Sequence, residues 1–298
     1  MLKRLGLGRG ILIFAGVLVL LLAAGLLWDE PISDFLYTGR PSLFTSLFEA
    51  IGKLPQYLTL GVAGVLLAGL GDKEKPVQRL LCLALGAALV IASFTVGLTN
   101  FLDDAKALPV TACVAIMGAL FLAVCIGMVL LTRNASREDV LRFVLTSVLI
   151  CAGMLAITTV LKLVWGRPRM QFLRSDARAV FAPLWKPDRS QKEAFLLLDV
   201  DEGCFRSFPS GHAAGMACTM LLPLLATLNR RLEGRGPLLL ILSAVLTAVT
   251  CFSRLVAGAH FLTDVTVPCI LVLLLLFLSL ALFYHDTWLF RKLSKLFL

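Results

Sequence analysis

Ser253-Arg254, five residues, His260, three residues, Asp264: this string carries the residue types that phosphoryl transfer needs. An imidazole attacks phosphorus when one ring nitrogen is held and the other is left free, and a carboxylate can do the holding. His260 and Asp264 are four residues apart, so a helix would set them on one face, with Asp264 fixing the tautomer of His260. Arg254 adds a planar fork of donors matched to phosphate oxygens. The plainer reading is an Asp–His pair that caps a helix. Ionisable groups beside a membrane-length apolar run are costly, which favours the chemical reading.

Two more clusters lie upstream. Lys162-Leu-Val-Trp-Gly-Arg-Pro-Arg169 ends an apolar run, and Gly166 and Pro168 are expected to break the helix there. Alone it also fits cations snorkelling at a membrane interface. Phe208-Pro209-Ser210-Gly211-His212 opens another run. It puts a hydroxyl, an exposed backbone N–H and an imidazole at a helix N-terminus, where free N–H groups and the helix dipole favour an anion. The alternative is an ordinary helix cap with an interfacial histidine. His212 is the candidate general acid. Two of the chain's three histidines fall in these clusters; His285 is expected to be an inner-side surface residue.

The elements that must position these groups are membrane spans. Of 298 residues, 59% are hydrophobic, more than a soluble core requires. The expectation is an all-α, polytopic transmembrane bundle forming one domain over residues 1–298. Eight spans are read: Ile11–Trp28, Leu54–Leu70, Leu80–Leu98, Pro109–Leu131, Val140–Leu161, Pro209–Leu228, Pro237–Cys251 and Phe261–Tyr284. Gly61 and Gly64 in the second suggest close helix packing. Ser136 and Asp139 form a capping box before the fifth. Between spans one and two, Leu43, Leu47 and Ile51 keep helical spacing, so residues 29–56 are expected to hold an amphipathic helix on the outer surface.

The net charge is +9, but the basic residues are spread through loops, which argues against a nucleic-acid partner. Lys3, Arg4 and Arg9 precede span one; Lys73, Lys75 and Arg79 follow span two; Arg133, Arg137 and Arg142 follow span four; Arg230, Arg231 and Arg235 follow span six; Arg291, Lys292 and Lys295 follow span eight. Every alternate loop is basic, so these segments and both termini are read as cytoplasmic and all three clusters as outer. The loop Thr99–Leu108, with Asp103 and Asp104, falls outside as well. The outer stretch with Arg174, Arg178, Lys186, Arg189 and Lys192 is read as a solvated, unstructured loop or a reader of anionic headgroups. The N-terminus resembles a signal peptide ending near Ala23-Ala24-Gly25, with a retained anchor helix expected. Eight cysteines show no CxxC pair and no metal spacing.

Taken together, the clusters resemble the type 2 phosphatidic acid phosphatase (PAP2) superfamily of membrane lipid phosphatases, which shares its site with vanadium haloperoxidases. The family pattern is K-x6-R-P, P-S-G-H and S-R-x5-H-x3-D. Lys162 and Arg169 match the first block, with Met170 in place of its last proline; Pro209–His212 and Ser253–Asp264 match the others fully. The match runs from about Val140 to Tyr284. It implies a catalytic core over residues 140–285, a six-span core with two added spans, and an N-terminal part over 1–139.

The resemblance further implies a metal-independent phosphatase with no cofactor. Lys162, Arg169, Arg254, Ser210 and the Gly211 N–H would hold the phosphate. His260 would attack phosphorus, Asp264 would orient His260, and His212 would protonate the leaving group. Arg167 is read as a second phosphate contact or a headgroup contact, and Ser253 as a further substrate contact. The expected partners are a lipid phosphate substrate and membrane lipids, in a bacterial inner membrane with the site facing the periplasm. Phosphatidate, phosphatidylglycerophosphate, undecaprenyl diphosphate and lipid A phosphates all fit. The alternatives are a lipid phosphotransferase using the same intermediate and a non-catalytic lipid-binding or transport protein.

Overall fold

The structure, a computed structural model, describes residues 5–298. Lys3 and Arg4 of the charge pattern lie outside the described residues. Among those described, the regular elements are helices, with no strand. Eight helical segments are long and apolar enough to cross a membrane, in agreement with the count read from the sequence.

α1 (Gly8–Leu36) bends at Trp28, whose φ of −135° is not helical, three residues before Pro31. Proline cannot donate to the preceding turn, so a kink there is expected. The bend carries Asp29, buried, onto the start of the last span. Gly25 allows the close approach: a Cβ there would sit 3.2 Å from the Thr263 nitrogen.

α2 (Leu43–Ile51) is capped by Ser42, whose hydroxyl accepts from the Thr45 N–H at 3.1 Å. It packs on later spans through one face, holds Arg254 as described below, and leaves Leu43 and Leu47 exposed on the other. α3 (Leu54–Gly69) packs chiefly on α4 (Pro76–Asp104), where Gly64 and Gly86 meet. A Cβ on Gly64 would lie 2.6 Å from the Gly86 carbonyl oxygen, and one on Gly86 would lie 2.9 Å from the Ala68 Cβ. α5 (Val110–Thr132) places Phe121 over Gly61. Asp104 closes α4 as its last helical residue, where the sequence was read as a loop.

α6 (Arg137–Trp165) starts at the expected Ser136 cap, which accepts from the Asp139 N–H at 3.1 Å, and stops at Gly166 in the left-handed region, φ 55°. The segment to Phe208 is not the unstructured loop expected. It holds α7 (Met170–Ser175), α8 (Ser190–Leu196) and a small core of Phe172, Phe195 and Phe205. Its basic side chains largely find local acids: Arg174 with Asp34, Arg178 with Asp176, Arg189 with Glu193, and Lys192 with Glu202.

The next span opens at Gly211 rather than Pro209. It is built from α9 (Gly211–Ala217), a 3₁₀ stretch Cys218–Leu224 and α10 (Leu225–Leu228). In this 3₁₀ stretch Pro223 offers no N–H to the Met220 carbonyl, and Ser243 of α11 (Gly236–Val256) donates to the neighbouring Thr219 carbonyl at 2.7 Å. In α12 (Leu262–Phe283), Pro268 frees the carbonyl of Asp264 in the same way, and the Ser210 N–H takes it at 2.9 Å. α13 (Trp288–Phe297) folds back on α4, α6 and α12, burying Phe290 and Phe297; His285 before it is exposed.

The glycine contact between α3 and α4 can be tested alone. Gly86→Ala should lower the melting temperature in detergent, because the added methyl forces the helices apart at a cost of about 1–3 kcal/mol. Gly118→Ala, where a Cβ meets nothing within 4 Å, should leave it unchanged.

Candidate active site

The three clusters meet at one end of the bundle, where α4, α6 and α11 end and α3, α9 and α12 begin. The His212 and His260 ring centroids are 6.4 Å apart. Lys162 Nζ lies 3.6 Å from where a Cβ on Gly211 would sit, so the end of α6 and the start of α9 share one small space.

His260 sits before α12, not within it, so the helical spacing to Asp264 does not apply. Its Nδ1 is 2.6 Å from the carbonyl oxygen of Ser207. A carbonyl can only accept, so Nδ1 carries the proton and Nε2 keeps its lone pair. The expected direct Asp264–His260 pair is therefore corrected: Asp264 acts on Ser207. Its Oδ2 accepts from Ser207 Oγ at 2.5 Å and from the Phe261 N–H at 2.8 Å. Asp264 is the third residue of α12 and folds back on its own N-terminus, as acids in that place do. Burial first, then Arg169 and Lys162, holds the His260 imidazole well below its ordinary range, so it stands neutral.

Arg167 is not a substrate contact. It is 1% exposed, and its donors are used: Nε on the Ala182 carbonyl at 2.7 Å, Nη1 on Thr263 at 2.8 Å and Asp264 at 2.5 Å, Nη2 on Asp29 at 2.8 Å. Phe261 and Phe181 flank the guanidinium. Asp29 in turn accepts from the Thr263 N–H at 3.0 Å and hydroxyl at 2.5 Å. This triad ties α1, the end of α6 and α12 together. The Arg167 carbonyl then takes the Ser207 N–H at 3.1 Å, which places the oxygen that holds His260.

The other cations are under-used. Lys162 has no hydrogen-bond or ion-pair partner among the described residues. The Nε–H groups of Arg169 and Arg254 are buried without a partner. Arg254 reaches α2, with Nη2 on the Thr45 carbonyl at 2.5 Å and Nη1 3.4 Å from the half-exposed Glu49. Ser253 is fully buried, with its Oγ 3.3 Å from Arg254 Nη2, so it supports Arg254 rather than facing open space. Ser210 caps α9 by accepting from the Ala213 N–H at 3.3 Å, and the N–H groups of Gly211 and His212 have no partner among the described residues. Met170, where the family pattern has proline, is the first residue of α7, a position that suits proline and needs no N–H bond.

Sequence reasoning missed Asp104, Lys53, Asn100, Glu49, Asp29 and Ser207. His212 Nε2 lies 3.2 Å from Asp104 Oδ2, and Lys53 bridges Asp104 at 2.8 Å and Asn100 at 3.1 Å. Gly52 and Gly215 permit this: a Cβ on Gly52 would lie 3.0 Å from the His212 Cβ, and one on Gly215 2.7 Å from the Lys53 Cα. One signal was available, since an aspartate inside an apolar span, as Asp29 is, requires a buried partner.

A transmembrane helical bundle with two apposed histidines and a group of cations with unused donors at one end is the class of protein the geometry defines. A family model described as PAP2 superfamily matches residues 141–288. The chain belongs to that superfamily through this segment, and the superfamily is typically one of phosphatases acting on phosphate esters. No curated protein and no solved structure matches the chain.

The triad makes a stability prediction. Arg167→Met leaves two buried carboxylates without their cation and should cost about 3 kcal/mol or more, read as a large drop in melting temperature in detergent. Lys162→Met, which breaks no ion pair, should melt close to wild type.

Proposed function

We propose that this protein is a membrane lipid phosphatase that works through a phosphohistidine on His260. The observation that carries the reading is a neutral, Nδ1-anchored imidazole beside Lys162, which has no partner among the described residues, and the unpartnered Nε–H groups of Arg169 and Arg254. Buried donors without acceptors are costly, and a phosphate group would satisfy those of Lys162, Arg169 and Arg254 together. The free N–H of Gly211 adds a donor from the first turn of α9. These groups are in place before substrate arrives, so they stabilise charge on the equatorial oxygens without reorganising.

In the first step Nε2 of His260 bonds to phosphorus as the bond to the leaving oxygen breaks. The leaving oxygen keeps the electron pair and takes a proton from His212. In the second step water attacks phosphorus, His212 accepts its proton, and the P–N bond breaks to release phosphate. Asp264 works at one remove, by fixing Ser207 and so the tautomer of His260. The residues call for no metal ion in either step.

A lipid substrate fits the position of the site at the ends of spanning helices. α2 presents Leu43 and Leu47 outward beside the Arg254 contact, a surface suited to an acyl or prenyl chain. The cytoplasmic ends are assigned by charge: Arg133, Arg137, Arg230, Arg231 and Arg235 lie at the end of the bundle opposite the site. The site then faces the periplasm of a bacterial inner membrane.

Purified protein in detergent should release phosphate from lipid phosphates or diphosphates, and a chelator should not change the rate. His260→Ala should abolish release, and His212→Ala should lower kcat by about 10²- to 10⁴-fold. Undiminished release by His260→Ala would remove the proposed nucleophile.

A further inference from the structure

The phosphatase reading gives little work to the four spans before residue 141, and one contact gives them a further task. Asp104 closes α4, outside the segment that matches the family model, and its carboxylate meets Nε2 of His212 at 3.2 Å. We propose that Asp104 is the positioning residue for the general acid: it holds the Nε2–H of His212, so that Nδ1 is the nitrogen that gives and takes the proton at the phosphate. The proposal rests on the phosphatase reading for its kinetics, though not for its geometry.

The arrangement is built rather than incidental. Both side chains are about 10% exposed. Asp104 is fixed from its other side by Lys53 at 2.8 Å, and Lys53 is fixed by Asn100, one helical turn before Asp104, at 3.1 Å. Lys53 comes from the turn between α2 and α3, and glycine at 52 and 215 lets that turn lie on α9. Two elements of the N-terminal half, α4 and the α2–α3 turn, therefore converge on one imidazole. Paired with Lys53 at 2.8 Å, the Asp104 carboxylate accepts from its neighbours. The Nε2–H tautomer follows, and Nδ1 has no partner among the described residues.

The chemistry then divides between the halves of the chain. As the P–O bond breaks, the proton on Nδ1 passes to the leaving oxygen and the lone pair stays on Nδ1. In the second step Nδ1 takes a proton from water as the O–P bond forms and the P–N bond breaks. Asp104 keeps its hydrogen bond to Nε2 throughout and exchanges no proton. A group that serves only proton transfer matters in proportion to how poor the leaving group is, and an alkoxide is far poorer than a nitrophenolate.

Asp104→Asn should therefore lower kcat/KM on a lipid phosphate by about 100-fold. It should lower kcat/KM on p-nitrophenyl phosphate by less than about fivefold, because that ratio reports only the steps through formation of the phosphohistidine, where a nitrophenolate needs no acid. Asp104→Glu, which restores a carboxylate, should recover part of the lipid rate. Equal losses on the two substrates, or no loss on either, would overturn the proposal. A second measurement needs no variant at position 104 and no turnover: the ¹⁵N shifts of neutral His212, assigned by His260→Gln and His285→Gln. Protonated Nε2 and bare Nδ1 support the proposal, and the reverse tautomer overturns it even if the protein folds and binds lipid normally. Failure of the phosphatase reading shows separately, as absent phosphate release from wild type.

Discussion

The buried Asp29–Arg167–Asp264 triad is the interaction on which the site depends. A charge at membrane depth cannot be left to water, so an arginine with two carboxylates must be completed or abandoned. Here it is completed: four of its hydrogen bonds are satisfied within one small volume, and aromatic rings flank the guanidinium. The triad joins α1 to α12 and fixes the chain after α6. Because the Arg167 carbonyl and the Asp264 carboxylate both grip Ser207, the ion pairs are transmitted to the one oxygen that holds His260.

Backbone groups freed by proline and glycine do much of the remaining positioning. Pro268 gives up a helical hydrogen bond, and the Asp264 carbonyl it frees receives the N–H of Ser210, which sets the first turn of α9 against α12. Gly166 ends α6 with a left-handed residue so that Arg167 can turn inward and Arg169 can stay at the site. Gly258 does the same after α11, and its carbonyl takes the Gln171 N–H, tying the segment after Arg169 to the turn before His260. The acidic and basic side chains of the site thus sit on backbone that is over-determined.

Much of this was legible in the sequence, for physical reasons. Membrane-length apolar runs give the eight spans, because a span must satisfy its own backbone. Lys162, His212 and His260 could be placed at one face by the alternation of basic loops. What failed was inference from local spacing. His260 and Asp264 were paired by the i, i+4 rule, but α12 begins at Leu262, after His260, so the rule had no helix to act on. Arg167 looked like its neighbour Arg169, yet one is sealed by Asp29, 138 residues away, and the other is not. Asp104 and Lys53 carry no motif at all; their meeting with His212 depends on glycine contacts between helices, which sequence spacing does not encode.

The central claim, that His260 takes the phosphoryl group before water does, is tested most directly by stereochemistry at phosphorus. A phosphate ester made chiral with oxygen isotopes would be turned over in the presence of an acceptor alcohol, and the configuration of the product ester determined. Two in-line displacements, one at His260 and one at the acceptor, predict overall retention. Inversion would mean a single displacement by the acceptor and would contradict the account.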